Sequence, residues 1–212
     1  MNVSIIGAGN MARGIGTRLV EGGNAVTIVD VEADKAQALA AELSARKVGA
    51  KAAAATLDRA LLNPVIVLAL PFAGARDFAR ANAETLAGKV VVDITNPLNA
   101  TFDGLVTLPG KSAAEEIADL LPNSRVVKAF NTTFAGTLVA GQVSGHKLDV
   151  LVAGDDGEAK KTVIDLVESG GLRGIDAGSL AHARHLEGLG FLGITLQNTL
   201  GTGFQSTWKL VA

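Results

Sequence analysis

A glycine-rich stretch near the N-terminus has the residue types and spacing of a phosphate-binding loop. Gly7, Gly9 and Ala12 follow the pattern G-x-G-x-x-A directly after a short apolar run. The first glycine of this pattern makes a tight turn, and the second lets backbone approach a pyrophosphate. The predicted cofactor-binding residues of the loop are Gly7, Ala8, Gly9, Asn10 and Met11. We therefore predict a dinucleotide-binding loop; a glycine turn without a ligand is the alternative.

A carboxylate after the second predicted strand bears on which dinucleotide binds. Asp30 lies 21 positions after Gly9, where a carboxylate accepts hydrogen bonds from the adenosine ribose hydroxyls. The same charge would repel a 2′-phosphate, and position 31 is Val rather than a phosphate-binding Arg. Lys35, at the start of the next predicted helix, offsets part of this repulsion only if its side chain points toward the cofactor. The alternative is a solvated side chain on that helix. The sequence therefore favours NAD over NADP.

Absent residue types limit the chemistry further. The chain contains no Cys and no Tyr, and three His, so a thiolate nucleophile, a cysteine metal site and a tyrosine acid are excluded. His182 and His185 stand three apart on a predicted helix, with no third ligand at a recognisable spacing. We expect these two to lie on a helix surface or interface, and we assign no catalytic side chain and no metal ligand.

The composition is that of an ordinary globular protein. The 212 residues include 48% hydrophobic and 19% charged residues, with a formal net charge of -2. This balance provides no electrostatic attraction to nucleic acid or to an anionic membrane. No apolar run reaches the length of a transmembrane helix, and the N-terminus lacks the layout of a signal peptide. We therefore expect a cytoplasmic protein that binds neither nucleic acid nor membrane.

Strand and helix signals alternate along the chain, and these elements must position the loop and the carboxylate. Near-continuous apolar runs are typical of strands covered on both faces, and the stretches between them are rich in helix-forming residues. The predicted strands cover residues 3–6, 25–30, 65–70, 90–94, 126–130 and 149–153, and the predicted helices cover 34–46, 75–86 and 112–121. The alternation predicts a Rossmann-like α/β fold: a doubly wound, mostly parallel sheet with a short helical C-terminal extension.

We divide the chain into two parts. Residues 1–140 form the predicted dinucleotide-binding Rossmann domain, and residues 141–212 form a small C-terminal α/β and helical lobe that completes the cleft. Residues 186–210 mix Leu, Phe and Ile with several glycines, which indicates close helix approach or backbone facing a ligand. Their apolar surplus predicts a homodimer formed through these helices. Phe191, Phe204 and Trp208 could cover the cleft or a partner subunit, although a core role is the simpler interpretation.

Several motifs are more specific than the glycine loop. They are IGAGNM at 6–11, LALPF at 68–72, DITNP at 93–97, VKAFNT at 127–132, AGDD at 153–156, IDAGSL at 175–180 and ARHLE at 183–187. With these motifs in this order, the chain resembles the NADP oxidoreductase family dependent on coenzyme F-420, a deazaflavin. The related cytosolic oxidoreductase domain of metalloreductases belongs to the same group. The resemblance covers nearly the whole chain.

This resemblance implies a binding cleft at the carboxyl ends of the strands, where open α/β sheets place their ligands. The further cofactor-binding residues that it implies are Leu70, Pro71, Phe72, Asn96, Pro97 and Asn131. The first three would lie beside the nicotinamide-side ribose, and the others would wall the nicotinamide and second-substrate pocket. For each proline, simple strand punctuation is the alternative. The family usually meets the phosphorylated cofactor with a Ser-Arg pair where this chain has Asp30 and Val31.

The prediction is an NAD(P)-dependent oxidoreductase that transfers a hydride between a nicotinamide dinucleotide and a flavin- or deazaflavin-type acceptor. In such a transfer the protein supplies orientation and a dry pocket, so no acid-base side chain is obligatory. One alternative is a reductase of a small substrate, related to pyrroline-5-carboxylate reductase or β-hydroxyacid dehydrogenase. Those enzymes carry a long helical C-terminal domain, for which the residues after Ser179 are too few. A non-catalytic NAD(H)-sensing module is the other alternative.

Overall fold

The computed structural model describes residues 1–211, in which an eight-stranded sheet is covered by helices on both faces. The strands are β1 (Asn2–Ile6), β2 (Ala25–Val29), β3 (Lys51–Ala54), β4 (Val65–Leu68), β5 (Val90–Asp93), β6 (Arg125–Lys128), β7 (Gln142–Val143), β8 (His146–Lys147), β9 (Asp149–Gly154) and β10 (Arg173–Asp176). The helices are α1 (Asn10–Glu21), α2 (Ala33–Ser44), α3 (Leu57–Ala60), α4 (Phe72–Leu86), α5 (Ala113–Leu120), α6 (Ala135–Ala140), α7 (Gly157–Ser169) and α8 (Ala183–Leu200). A 3-10 turn, Leu180–His182, precedes α8.

The sheet has the order β10-β9-β6-β5-β4-β1-β2-β3. The six strands from β3 to β6 are parallel and follow the order of a dinucleotide-binding fold. β9 pairs antiparallel with β6, and β10 pairs parallel with β9. The prediction of a Rossmann-like, mostly parallel sheet with a helical C-terminal extension is therefore confirmed.

Alternate residues of the central strands pack into two hydrophobic clusters, one on each face of the sheet. Ile5 and Val67 belong to the cluster under α1, α2 and α7, whereas Ile66 and Leu68 belong to the cluster under α4 and α5. β4 and β5 are buried along their whole length, because parallel strands covered by helices on both faces meet little solvent. The two-sided core holds the carboxyl ends of the strands in fixed register.

Several strands end earlier than predicted. β4 ends at Leu68 and β6 at Lys128, and Phe130, predicted as strand, has a left-handed backbone with φ of +65°. α4 begins at Phe72 rather than at Ala75. These differences place the residues that follow each strand in the loops at the carboxyl edge, where a site can form.

The C-terminal part of the chain continues the same sheet. β9 and β10 belong to the predicted lobe of residues 141–212, yet both extend the sheet formed by the predicted Rossmann domain. The division at residue 140 stays a prediction. Among residues 1–211, no helix combines the length and the apolar character needed to cross a bilayer.

Candidate functional site

The two loop glycines have different reasons to be glycine. Gly7 follows β1 with φ of +104°, and a Cβ there would lie 2.4 Å from the carbonyl oxygen of Ala69. A side chain at Gly7 is therefore excluded by the protein itself. Gly9 has an ordinary φ of -81°, and a Cβ there would meet no protein atom within 4 Å. The space in front of Gly9 is open.

The N-terminus of α1 points into this open space. Arg13 donates its backbone N-H to Gly9, but within residues 1–211 the N-H groups of Asn10, Met11 and Ala12 have no acceptor. Unpaired N-H groups at a helix start, together with the helix dipole, form a site for an anion. Ala12 is buried, so the helix packs closely on the sheet as the spacing predicts. The loop geometry fits a pyrophosphate.

Asp30 connects the glycine loop to the end of β2. Its Oδ2 accepts a hydrogen bond of 2.7 Å from the N-H of Ala8, and its Oδ1 accepts one of 2.9 Å from the N-H of Glu32. A carboxylate offers about four lone-pair positions, so two ribose hydroxyls can still donate to it. The side chain is half-buried. Asp30 therefore both positions the loop and presents a negative charge beside it.

A cavity of about 890 Å³ opens next to Asp30, between α2, the end of β3 and α4. Its size is within the range of small-molecule sites. The wall is mostly apolar and includes Leu57, Leu70 and Phe78. Its charged lining residues are Asp30 and Asp77, and no Lys, Arg or His belongs to the lining that the structure describes. The cavity suits an uncharged aromatic group with a ribose, and offers nothing to a phosphate.

The contribution of α4 and of residues 54–57 to this cavity was missed by the sequence analysis. The Ala run that ends β3 was the available signal, since small residues at a strand end leave room for a ligand. Phe78 gave no signal, because a phenylalanine at helical spacing is ordinarily a core residue.

Lys35 lies outside the cavity lining. Its Nζ contacts Glu32 Oε1 at 2.5 Å, and both side chains are about 60% exposed. The hydrogen bond and the charge of Glu32 raise the pKa of Lys35. The ammonium group is therefore paired with Glu32 on the exposed side of α2 rather than directed into the cavity.

The three residues after β4 have different positions. Leu70 lines the cavity and approaches Gly7. Pro71 is exposed at the start of α4. Phe72 is buried, with the guanidinium of Arg76 5.5 Å from its ring centre. Of these predicted residues, the structure brings only Leu70 to the cavity.

Asn96 and Asn131 form a clamp between β5, β6 and α8. Asn96 Nδ2 donates to the carbonyl of Asn131 at 2.8 Å, and Asn131 Nδ2 donates to Asn96 Oδ1 at 2.9 Å and to the carbonyl of Leu186 at 2.8 Å. Gly190 packs on the pair so closely that a Cβ would lie 2.4 Å from Asn96 Oδ1. Pro97 is buried beside them. None of the three predicted residues lines the large cavity.

A buried ionic cluster lies near this clamp. Lys128, fully buried, donates to Asp93 Oδ2 at 2.8 Å, to Glu187 Oε1 at 2.7 Å and to the carbonyl of Thr95 at 2.6 Å. Glu187 also accepts from the N-H groups of Ala113 and Ala114 at the start of α5. Burial raises the pKa of Glu187, and Lys128 opposes the shift. The cluster joins β5, β6, α5 and α8, and the sequence analysis did not find it.

A second cavity, of about 460 Å³, lies on the other side of the first turn of α1. Gly7 borders the large cavity, whereas Asn10 and Arg13 border the second one. Its remaining wall comes from the start of α6 and from residues 203–205 of the C-terminal segment. The α1 N-terminus therefore lies between two cavities. Across residues 1–211, no three His, Asp or Glu side chains are placed to hold a metal ion.

Comparison with known proteins gives a consistent assignment. Residues 2–97 match the family model described as NADP oxidoreductase coenzyme F-420-dependent. The chain is 35% identical to the F-420-dependent NADP reductase of Methanocaldococcus jannaschii over 159 residues, which cover 71% of this chain and 70% of that one. It is 33% identical to metalloreductase STEAP3 of Rattus norvegicus over 187 residues, which cover 88% of this chain but 36% of that protein.

A solved structure agrees with these matches. The structure of a candidate F-420-dependent NADP reductase from Arthrobacter sp. superposes with a TM-score of 0.82 and 31% identity, and the match covers 99% of both chains. Together with the sequence matches, this identifies the protein as an oxidoreductase that belongs to the family of coenzyme F-420-dependent NADP oxidoreductases.

Proposed function

We propose that this oxidoreductase uses NADH in preference to NADPH and transfers a hydride from it to a flavin- or deazaflavin-type acceptor. The observation that carries the cofactor preference is the position of the Asp30 carboxylate. It accepts a hydrogen bond from the N-H of Ala8 in the glycine loop and borders the large cavity. The acceptor class rests on family membership, since the reductases of this family are named for coenzyme F-420.

Electrostatics supports NADH. A 2′-phosphate at the ribose would face Asp30 in a half-enclosed cavity, with no cation in the lining that the structure describes. Asp77, the other acidic lining residue, is exposed and paired with Arg80. Lys35, the nearest candidate counter-charge from the sequence, is paired with Glu32. The relatives are named as NADP reductases, so this chain would differ from them in cofactor preference. Specificity of this kind arises from a repulsive charge as much as from an attractive contact.

The dinucleotide would extend along the carboxyl edge of the sheet. The adenine would occupy the large cavity, the ribose would donate to Asp30, and the pyrophosphate would accept from the N-H groups at the start of α1. The nicotinamide end would then reach the ends of β4 and β5, beside Leu70, Pro71 and Asn96. Phe72, Pro97 and Asn131 would hold that region in shape from within the protein rather than contact the cofactor.

The reaction needs little from side chains. When bound, the nicotinamide supplies a hydride to the acceptor ring, which takes one further proton from solvent. The chain binds and orients both rings and excludes water between them. The C-terminal lobe of residues 141–212 would complete the cleft, because its residues 203–205 line the second cavity. The homodimer and the cytoplasmic location stay predictions from the sequence.

An acceptor screen tests the function. NADH and NADPH oxidation would be followed at 340 nm with FMN, 5-deazariboflavin and ferric citrate as acceptors, and with a cyclic imine as the competing substrate class. We expect turnover of NADH with the flavin-type acceptors. Turnover of the imine alone would favour the small-substrate reductase, and NADH binding without any turnover would contradict the hydride-transfer proposal.

A further inference from the structure

The C-terminal segment after α8 folds back over the carboxyl edge of the sheet. Beyond Gly201 it passes the start of α6 and reaches β9 at residues 209–210, where Asp149 holds it. Asp149 accepts from the N-H of Leu210 at 2.9 Å and from the ammonium group of Lys209, and Arg173 donates to the carbonyl of Leu210 at 2.8 Å. These polar contacts fix the far end of the segment.

The near end of the segment is held by one buried amide. Gln197 of α8 is 4% exposed, and all of its hydrogen-bonding positions are used. Its Nε2 donates to the carbonyl of Gly193 at 2.7 Å and to Ser206 Oγ at 2.9 Å. Its Oε1 accepts from Thr202 Oγ1 at 2.5 Å and from the N-H of Phe204 at 3.0 Å. A fully satisfied buried amide of this kind specifies a single conformation of the turn.

In that turn, Phe204 combines an uncommon backbone conformation with a half-exposed side chain. Phe204 has a left-handed backbone with φ of +62°, which is unfavourable for a bulky residue unless the surroundings impose it. Its side chain is nevertheless 47% exposed. Its ring meets that of Phe134 edge to face, with the ring centres 5.2 Å apart and the planes at 85°. The protein thus maintains a strained backbone to hold a half-exposed aromatic ring in place.

Both rings line the second cavity, whose opposite wall is the first turn of α1. The proposed pyrophosphate contacts are on that same turn. A Cβ at Gly193 of α8 would lie 3.8 Å from the Phe134 ring, and Gly190, one turn earlier, packs on Asn96 at the proposed nicotinamide end. The cavity therefore adjoins the path of the dinucleotide between its pyrophosphate and its nicotinamide. The large cavity already accommodates the adenosine half. An aromatic edge beside the cofactor path, in a cavity of about 460 Å³, suits a planar ring, since aromatic groups pack favourably against edge-to-face partners.

We propose that Phe204 is a specificity-determining residue for the hydride acceptor: with Phe134 it packs against the planar ring of a flavin-type acceptor in the second cavity, and Gln197 positions it. This inference rests on the proposed function, because it assumes that a hydride acceptor binds next to the dinucleotide. Beyond the proposed function, the inference names Phe204 and Phe134 as the residues that contact the acceptor and Gln197 as the residue that positions Phe204.

A matched pair of phenylalanine variants tests the proposal. Phe204→Ala should raise the KM for FMN or 5-deazariboflavin by about tenfold, with kcat and the Kd of NADH almost unchanged. Phe102→Ala is the control, because Phe102 also has a left-handed backbone and an exposed ring but lines neither cavity. Gln197→Met, which keeps the side-chain length and removes the amide, should raise the same KM.

The lone tryptophan gives a readout that does not depend on turnover. Trp208 lies in the C-terminal segment, with its indole Nε1 close to Gly193 of α8. FMN or 5-deazariboflavin should quench its emission saturably in the parent protein and less strongly in Phe204→Ala. In Gln197→Met the emission should shift to longer wavelength, because the segment would dock less firmly.

Four results would overturn the inference. These are an unchanged acceptor KM in Phe204→Ala, the same KM rise in Phe102→Ala, a weakened NADH affinity in place of the KM effect, and no saturable quenching of Trp208 in the parent protein. The proposed function fails separately, if the parent protein does not bind NADH or does not oxidise it with any acceptor. In that case the acceptor role of Phe204 fails with the proposed function, and quenching of Trp208 reports only whether a flavin ring binds beside Phe204.

Discussion

Two regions of the molecule are held by different kinds of interaction: the adenosine side, where the α1 N-terminus borders the large cavity, and the α8 side, where Lys128 joins β5 and β6 to α8. On the adenosine side, Gly7 and Ala8 are held by backbone packing and by one carboxylate, Asp30, and the ligand space is open. On the α8 side, buried side chains far apart in sequence hold one another, with Lys128 between Asp93 and Glu187. If the adenosine side binds the cofactor as proposed, binding and stability belong to separate regions, and substitutions should affect one without the other.

The largest effect is expected in the buried cluster on the α8 side. Lys128→Met would leave the carboxylates of Asp93 and Glu187 buried without a cation, and removing one partner of a buried ion pair costs about 3–5 kcal/mol. Chemical denaturation would measure the loss. Lys161→Met is the control, since Lys161 forms an exposed ion pair on α7 and its loss should leave the free energy of unfolding almost unchanged. Equal effects of the two variants would contradict this prediction.

In the glycine loop, two glycines only two residues apart should separate stability from binding. Gly7→Ala should destabilise the fold by about 2 kcal/mol, because its Cβ would overlap Ala69 and its φ is positive. Gly9→Val should leave the unfolding midpoint almost unchanged and abolish NADH binding, because its side chain would occupy the pyrophosphate space. Denaturation and NADH fluorescence titration separate the two outcomes. Normal NADH binding by a folded Gly9→Val would show that the stretch is only a turn.

The adenosine side could be predicted from the sequence to a larger extent than the α8 side. The positions of the glycine loop and Asp30 could be predicted from the sequence because they depend on local spacing after a strand, and their role in cofactor binding stays a prediction. The sheet was found because apolar runs alternate with helix formers. Lys128, Glu187 and Gln197 could not be found, because a charged or amide residue in a sequence is ordinarily exposed and only tertiary contacts bury these three.

For Asn96 and Asn131, the position in the fold could be predicted but the side-chain contacts could not. The family resemblance pointed to them, and both do follow β5 and β6. Their amides nevertheless bond with each other and with α8. The position of α8 is set by packing over long sequence separation, which no local pattern encodes. Lys35 is similar, since its pairing with Glu32 depends on a side-chain rotamer.

On the adenosine side, the charge of Asp30 should set the choice between NADH and NADPH. Asp30→Ser with Val31→Arg should reverse the preference from NADH to NADPH, with a swing of about 3 kcal/mol, or roughly a hundredfold in the ratio of the two Kd values. Paired NADH and NADPH titrations on the parent protein and the double variant measure it. Asp30→Asn is the matched control: its amide oxygen can still accept from Ala8, while its NH2 group replaces the oxygen that accepts from Glu32. A smaller preference there, without reversal, would be due to loss of the carboxylate rather than to an added cation. A parent protein that prefers NADPH would contradict the role given to Asp30.

The smallest effect is expected at the rim of the α8 side, where Arg184 of α8 contacts Glu115, the third residue of α5. Arg184 donates to Glu115 Oε2 at 2.8 Å and to Oε1 at 2.5 Å, and the Ser112 N-H donates to Glu115 Oε2 at 2.8 Å. Burial alone would raise the pKa of Glu115, but these hydrogen bonds outweigh it and lower the pKa from 4.5 to about 2. A lowered carboxyl pKa stabilises the fold above the unfolded value, and the contribution disappears as pH falls toward about 2.

Glu115→Gln should therefore flatten the fall in stability between about pH 5 and about pH 3, while its amide oxygen can still accept from Ser112. The effect should be modest, because Arg184 is 46% exposed and solvent screens such a pair. Urea midpoints across this pH range measure the slope. Arg184→Gln should flatten it similarly, and the double variant should add nothing further, since both changes remove one interaction. Additive slopes would mean that the two side chains act independently, and that this rim contact does not couple α5 to α8.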